Sequence, residues 1–258
     1  WRFINPRLDE VYGTEGMGQT AENVAEKYNI SRQDQDTFAY SSQKKASEAQ
    51  TSGRFTTEII SVEIPQRKTD SVHFNADEFI KPYSSIKGLA KLKPAFKKDG
   101  TVTAGNSSGL NDGAAAMILA SEDIINKHGL KPLARIVASA VVGVEPSIMG
   151  IGPVQASNKV LEKAGLIMDN IDIIELNEAF AAQTLACMRE WGLEDDEPRI
   201  NPNGGAIALG HPLGMSGTRI IQTAALELQK QNKQYALITM CVGVGQGYAV
   251  IIENINND

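Results

Sequence analysis

Apolar and polar positions divide the chain into two rhythms. From Trp1 to about Asn111 the composition is polar and the elements follow no βαβ order, whereas from Pro132 onward strand and helix patterns alternate. In the first part, residues 20–28 read as a short helix. Ser31 with Asp34 forms a capping-box pattern that opens a longer helix, with Phe38, Ala39, Ser42, Ala46 and Ala49 facing inward and a stop at Gly53. Residues 57–64 predict a half-buried strand, because Ile60, Val62 and Ile64 alternate with polar residues. The apolar run 113–120 predicts a buried strand, followed by a helix that Ser121 caps and Gly129 ends.

In the second part, 135–144 reads as a strand, and a helix runs from Pro153 to just before Gly165, the usual placement of those two residues. A strand at 171–176 brings Asn177 to its C-terminal end, and a helix spans 179–191 up to Gly192. Ser216 reads as the cap of a helix over 217–231 with Ile220, Ile221, Ala224 and Leu228 on one face, and strands at 235–241 and 247–253 finish the chain. This alternation predicts an α/β layer with a mainly parallel or mixed sheet and flanking helices. Chemistry in such folds gathers at the C-terminal ends of strands, where Asn177 and Cys241 fall.

Composition narrows the class. With 258 residues, 42% hydrophobic and 22% charged, the chain suits one large globular domain or two small ones. A net charge of −6 argues against a nucleic-acid partner. No apolar run is long enough to span a bilayer and no signal-peptide pattern is present, so no membrane partner and a cytoplasmic location are expected. Cys187 and Cys241 lie far apart, which supports neither a disulfide framework nor a zinc site, and three histidines argue against a structural metal. No glycine loop ends in Gly-Lys-Ser or Gly-Lys-Thr, which sets aside a P-loop. The start at Trp1, reading like the middle of a domain, suggests a fragment or a processed chain.

The densest chemical signal is Asn201 to Gly217, Asn-Pro-Asn-Gly-Gly-Ala-Ile-Ala-Leu-Gly-His-Pro-Leu-Gly-Met-Ser-Gly. Glycine lets backbone approach a ligand closely or take positive φ. His211 precedes a predicted helix N-terminus, where the dipole disfavours imidazolium and leaves a neutral base. Taken alone, the loop is also explained as a tight turn and His211 as a hydrogen-bonded core residue. Asn177 equally serves as a helix cap, and Cys241 as a small buried hydrophobe.

Asn177-Glu178-Ala179-Phe180-Ala181, then Gly204-Gly205-Ala206-Ile207-Ala208-Leu209-Gly210-His211-Pro212, then Cys241-Val242-Gly243-Val244-Gly245-Gln246-Gly247, in that order, resemble the C-terminal signatures of the thiolases. Met17-Gly18-Gln19-Thr20-Ala21-Glu22-Asn23 and Thr103 to Gly113 also resemble thiolase segments, so the resemblance extends over essentially the whole chain. It implies a thiolase-like layered fold: a loop domain over 1–111 that covers the site and helps association, a strand and helix of the N-terminal catalytic half over 112–131, and the C-terminal catalytic domain over 132–258. It implies an acyltransferase that cleaves a 3-oxoacyl-CoA with coenzyme A, or runs the reverse condensation.

The resemblance also implies roles. Cys241 shuttles a proton between the coenzyme A thiol and the α-carbon of the departing acetyl thioester. His211 activates a nucleophilic cysteine and donates to the thioester oxygen, Asn177 orders a water as second donor, and Gly243 offers its N–H to the acyl-enzyme oxyanion, with no room for a side chain there. Glu178 orients its neighbours. Met17, Ala104, Ser108, Leu110 and Phe180 contact the acyl or pantetheine part, and Lys93, within the lysine run 87–98, meets a phosphate of coenzyme A. No tightly bound cofactor is implied, coenzyme A being a substrate, and the assembly expected is a homodimer or homotetramer. The nucleophilic cysteine belongs to the N-terminal half, and neither cysteine here matches its surroundings, so that half is the expected missing partner and this chain alone forms no acyl-enzyme.

Trp1 to Pro6, Gly150-Ile151-Gly152-Pro153-Val154 and Asn201 to Gly205 are most similar to the β-ketoadipyl-CoA (3-oxoadipyl-CoA) thiolases of aromatic and phenylacetate catabolism. Arg2 or Arg7 would then meet the far carboxylate of the acyl chain. The alternatives are an acetoacetyl-CoA or general 3-ketoacyl-CoA thiolase of fatty-acid metabolism, and a non-catalytic coenzyme A-binding fragment.

Overall fold

The computed structural model describes residues 4–255, which leaves Arg2 and the start of the Trp1–Pro6 pattern outside. The first part is helical. α1 (Pro6–Tyr12) is capped by the Asn5 side chain, α2 (Met17–Lys27) follows, and α3 (Arg32–Thr51) opens on the expected capping box: Ser31 Oγ accepts from Asp34 N at 3.1 Å and Asp34 Oδ2 from Ser31 N at 3.3 Å. α3 buries Phe38, Ala39, Ser42, Ala46 and Ala49.

Two expected strands change. The strand at 57–64 shrinks to β1 (Val62–Ile64), paired antiparallel with β2 (Val72–Phe74) in an isolated ribbon after a 3-10 turn at Arg54–Thr57. Its alternating apolar residues have no layer behind them, so they are exposed, Ile60 at 87%. The run 113–120 forms no strand, with Ile118 89% exposed, since among the described residues no ladder pairs with it. α4 (Ile86–Leu89) and α5 (Glu122–His128) flank that run, and Gly129 ends α5 at φ 59°. Ser121 precedes α5 without a side-chain capping bond.

The second part matches its pattern closely: β3 (Arg135–Gly143), α6 (Gly152–Ala164), β4 (Ile173–Leu176), α7 (Ala181–Glu190), α8 (Ala206–Leu209), α9 (Ser216–Gln231), β5 (Tyr235–Val242) and β6 (Gln246–Glu253). The sheet order is β3-β6-β5-β4. Only β4 and β5 are parallel, so the sheet is mixed rather than mainly parallel, β6 returning antiparallel through a tight turn.

α6 covers one face and α9 the other. Ile173, Ile220, Ala224, Leu228, Ile238 and Ile252 form the core under α9, with Ile221 partly buried against it. Ile174, Leu176, Leu185, Leu237 and Ile251 form the larger core, which also takes Val24 from α2 and Phe38 from α3. β4 is buried at all four positions, as expected for a strand sandwiched between helical layers, and its apolar side chains Ile173, Ile174 and Leu176 contribute about 1.5–3 kcal/mol each. The first part is thereby fixed onto the second. No helix of the described residues is long and apolar enough to cross a membrane, and among them no group of three His, Cys, Asp or Glu is arranged to hold a metal.

Candidate active site

β4 delivers Asn177 to the sheet's C-terminal edge. The parallel register pairs Leu176 with Thr239, and Asn177 N donates to Thr239 O at 3.0 Å, which sets Cys241 on the neighbouring strand about one register step beyond Asn177. Asn201 brackets β4 from its other side: its Oδ1 accepts from Leu176 N at 2.9 Å and its Nδ2 donates to Leu176 O at 2.8 Å. It does so at φ 43°, a left-handed conformation that asparagine tolerates.

From Asn201 the chain turns through two glycines. A Cβ on Gly204, at φ 79°, would stand 2.7 Å from Ala46 Cβ of α3, so only glycine lets the loop lie against that helix. After α8, Gly210 at φ 90° turns the chain to His211, whose N–H donates to Gly109 O at 3.0 Å. That bond, with Ser108 N to Ala179 O and Ala181 N to Asn106 O, ties the segment 106–109 to both loops.

His211 is half-buried and held at both ring nitrogens. Nδ1 lies 2.6 Å from Ser216 Oγ, and Nε2 lies 3.3 Å from Asn177 Nδ2. Ser216 Oγ donates to Pro212 O at 3.0 Å, which uses its one hydroxyl proton, so it accepts from the ring. His211 is therefore the Nδ1–H tautomer with the lone pair on Nε2, where Asn177 Nδ2 points, an assignment made from the hydrogen-bond network. Burial, then the charge of Arg219, lowers the His211 pKa and keeps the ring neutral. Ser216 is not the helix cap: Met215 occupies that position, and the Ser216 hydroxyl is spent on the histidine.

Asn177 Oδ1 is buried with no hydrogen-bond partner among the described residues. Cys241 is buried on β5, and burial pushes its thiol up to about 12, so it holds its proton at neutral pH. Cys187, on α7, is also buried, donates to Gly150 O at 3.4 Å and has its pKa raised by burial. Neither is a ready thiolate.

The turn from β5 to β6 differs from expectation. A Cβ on Gly243 would meet nothing within 4 Å, so in this chain a side chain there is not crowded. Close approaches fall instead at Gly245, φ 81°, where a Cβ would lie 2.1 Å from Val144 O, and at Gly247, where a Cβ would lie 2.1 Å from Gly152 O. Between Gly243 and Gly245, Val244 sits at φ 66°, a costly conformation for a β-branched residue.

The remaining candidates scatter. Phe180 is half-buried at the start of α7, its ring edge-on to Phe96 at 6.0 Å, and Phe96 in turn covers Gly18. Ser108 is half-buried beside the Asn177 loop, whereas Ala104, Lys93 and Leu110 are exposed. Met17 lines a cavity of about 200 Å³ with Ile4, Leu8, Tyr12, Pro146 and Val244, at whose wall the charged residue is Glu15. Arg7 is exposed on α1 and does not line it.

Polar supports beneath the site carried no motif of their own. Arg54 pairs with Glu227 at 2.7 Å and Glu58 at 3.1 Å inside the protein, and Asn203 Nδ2 donates to Glu227 Oε2 at 2.8 Å, which anchors the glycine loop to α9. Burial lifts the Glu227 carboxyl, but bonds from Gln231, Arg54 and Asn203 bring it below its ordinary pKa. Glu175, on the α9 side of β4, is fully buried with Oε1 unpartnered, and burial pushes it up to about 8. A Glu two residues before Asn177 and a Ser five after His211 were the available signals.

Comparison with known proteins agrees on the family. The thiolase N-terminal domain matches residues 3–123 and the thiolase C-terminal domain residues 130–254. The beta-ketoadipyl-CoA thiolase of Acinetobacter baylyi is 55% identical over 255 residues, 99% of this chain and 64% of that protein. The 3-oxoadipyl-CoA/3-oxo-5,6-dehydrosuberyl-CoA thiolase of Escherichia coli K12 is 54% identical with the same coverage, and an acetyl-CoA acetyltransferase of Chromobacterium violaceum 53% over 97% of this chain and 64% of its own. The crystal structure of human mitochondrial 3-ketoacyl-CoA thiolase superposes with TM-score 0.89 at 49% identity, covering 92% of this chain and 60% of that one; its complex with CoA gives 0.87 at 48%, covering 92% and 58%. The chain thus spans 64% of the length of the curated relatives it matches. With both thiolase domains matched in order and the layered α/β fold shared, this chain belongs to the thiolase family.

Proposed function

We propose that this chain supplies the base and the acid of a thiolase acting on 3-oxoacyl-CoA, best fitted to 3-oxoadipyl-CoA. The observation that carries the reading is His211 Nε2, unprotonated and met by Asn177, one strand away from a Cys241 thiol that keeps its proton. In thiolysis, Nε2 takes the proton of a nucleophilic cysteine supplied by the portion of the protein this chain does not span. The thiolate attacks the 3-oxo carbon, the bond between Cα and Cβ breaks, and Cys241 gives its proton to the α-carbon of the departing acetyl-CoA. Cys241 then takes the proton of the coenzyme A thiol, whose sulfur attacks the acyl-cysteine and releases the shortened acyl-CoA, and imidazolium Nε2–H returns its proton to the leaving cysteine sulfur. Imidazolium Nε2–H and a water held by Asn177 Oδ1 stabilise one oxyanion, and the Gly243 N–H the other.

On this reading residues 1–111 are the covering loop domain, 112–131 a remnant of the N-terminal half and 132–258 the catalytic C-terminal domain. Lys93 reaches a phosphate of coenzyme A, and Met17, Ala104, Ser108, Leu110 and Phe180 approach the pantetheine or acyl chain. The protein works in the cytoplasm as a homodimer or homotetramer without a tightly bound cofactor. The relatives named for β-ketoadipyl-CoA support the dicarboxylyl substrate. A second reading, a general 3-ketoacyl-CoA thiolase, draws on the cavity beside Met17, lined mainly by apolar residues with Glu15 as its charged member.

The test fuses this chain to the part of the A. baylyi relative it does not span and assays 3-oxoadipyl-CoA against acetoacetyl-CoA. Expected are thiolysis by the fusion with 3-oxoadipyl-CoA preferred, and neither turnover nor a stable acetyl adduct, by intact mass, on the 258-residue chain alone. Preference for acetoacetyl-CoA establishes the second reading, and an inactive, folded fusion overturns both.

A further inference from the structure

Glu178 follows Asn177 directly but points away from it, into the protein, where it is 1% exposed. Its carboxylate receives three donors from three parts of the chain: Ser42 Oγ of α3 at 2.6 Å, Asn201 Nδ2 at 2.7 Å and Ile207 N of α8 at 3.2 Å. The site is built for it. A Cβ on Gly205 would lie 2.2 Å from the carboxyl carbon, so glycine there makes the room through which Glu178 reaches Ile207. Two short paths lead from this carboxylate to the base: one through Asn177, the adjacent residue, to His211 Nε2, and one from Ile207 through α8 and Gly210 to His211.

We propose, on the reading of His211 as the base, that Glu178 is a positioning residue whose ionised carboxylate clamps α3, Asn201 and α8 together, so that the covering part of the chain sets the place and tautomer of the histidine. Asn201 Nδ2 and Ile207 N can only donate and they take one carboxylate oxygen each, which favours the ionised form, and the Ser42 hydroxyl adds a third donor to the oxygen that Ile207 meets. Lys45 faces it from α3 and favours the charge, Glu175 faces it from β4 and opposes it, and burial raises its pKa above that of an ordinary glutamate. The clamp therefore opens on acidification at a pH above the usual carboxylate range, and His211 loses its fixed geometry there.

The test is 15N NMR of the His211 ring and the Ile207 amide in the 258-residue chain, from neutral to mildly acidic pH. Wild type is expected to show a single Nδ1–H tautomer and a downfield Ile207 amide proton, both lost together on acidification. Glu178→Gln, which turns an amide NH2 toward donors, is expected to shift the Ile207 amide upfield and average His211 over two tautomers already at neutral pH. Ser42→Ala, remote from the histidine, should move both signals the same way by less. In the fusion, Glu178→Gln should lower kcat about 10²-fold with KM little changed. A folded Glu178→Gln chain with an unmoved His211 overturns the proposal; should that variant not fold, an unmoved His211 in Ser42→Ala does so. A wild-type His211 lacking the Nδ1–H tautomer instead defeats the reading of the base itself.

Discussion

The loops around His211 and the segment 112–120 with the outer edge of β3 are opposites. In the first, buried polar groups find partners within the chain: Asn201 with both polar atoms of Leu176, Glu178 with three donors, Glu227 with Arg54 and Asn203. In the second, apolar side chains face solvent, Ile118, Leu119, Ile136 and Val141 among them, and among the described residues β3 pairs on one side only. A polar network shows its gaps directly: the donors just named have acceptors, whereas Asn177 Oδ1 is left without a partner among the described residues. An apolar strand pattern shows only that a segment is built to face something.

The largest effect expected falls on the polar region around His211. In the active fusion, His211→Asn should lower kcat on the order of 10²–10⁴-fold, the range for loss of a positioned general base. Near-normal turnover would remove the histidine from the chemistry.

Next, Leu228→Ala, under α9, should destabilise the chain by about 2–5 kcal/mol in urea unfolding, because it empties a fully buried site. Ile118→Ser should change stability by no more than about 0.5 kcal/mol while reducing self-association in sedimentation, because its side chain meets solvent. Equal costs at the two positions would show that 112–120 is packed after all.

What could be read from the sequence follows the same division. The capping box at Ser31, the αL stop at Gly165 and the buried stripe of α9 were legible because local chemistry and burial coincide. Residues 57–64 and 113–120 were misread because alternation and apolarity describe a strand's own preference, and neither segment has a partner layer. Of the site, His211 and Cys241 stand out through glycine-rich loops, and Asn177 through its place at the C-terminal end of a predicted strand. Ser216 was taken for a cap because a serine before a helix usually is one, and its place one residue inside the helix, under the imidazole, is a tertiary fact. Arg54 and Glu227 are 173 residues apart and carry no pattern at all.

A third expectation concerns pH. Glu175 has a folded-state pKa near 8 against an unfolded 4.5, so between those values the native chain binds more protons than the unfolded one. Stability should therefore fall as pH rises from 4.5 to 8, by at most about 1.4 kcal/mol per pH unit, and Glu175→Gln should flatten that slope. An unchanged slope would assign the effect to another group.

The smallest effect is expected at Val244. Val244→Asn, which suits φ 66° better, should raise stability by about 1 kcal/mol in thermal unfolding. A loss would mean that contacts of the valine outweigh its backbone strain.

The central claim is that this chain, without the portion its relatives carry in addition, already assembles the base. The direct measurement is the pair of 15N ring shifts of His211 in the wild-type chain at neutral pH, assigned against His211→Asn. A pyrrole-like Nδ1 and a pyridine-like Nε2, with protonation below the ordinary histidine pKa of 6.5, is the result the structure predicts. Two averaged nitrogens, or an imidazolium near neutrality, would contradict it and leave the base to be formed only when the rest of the protein is present.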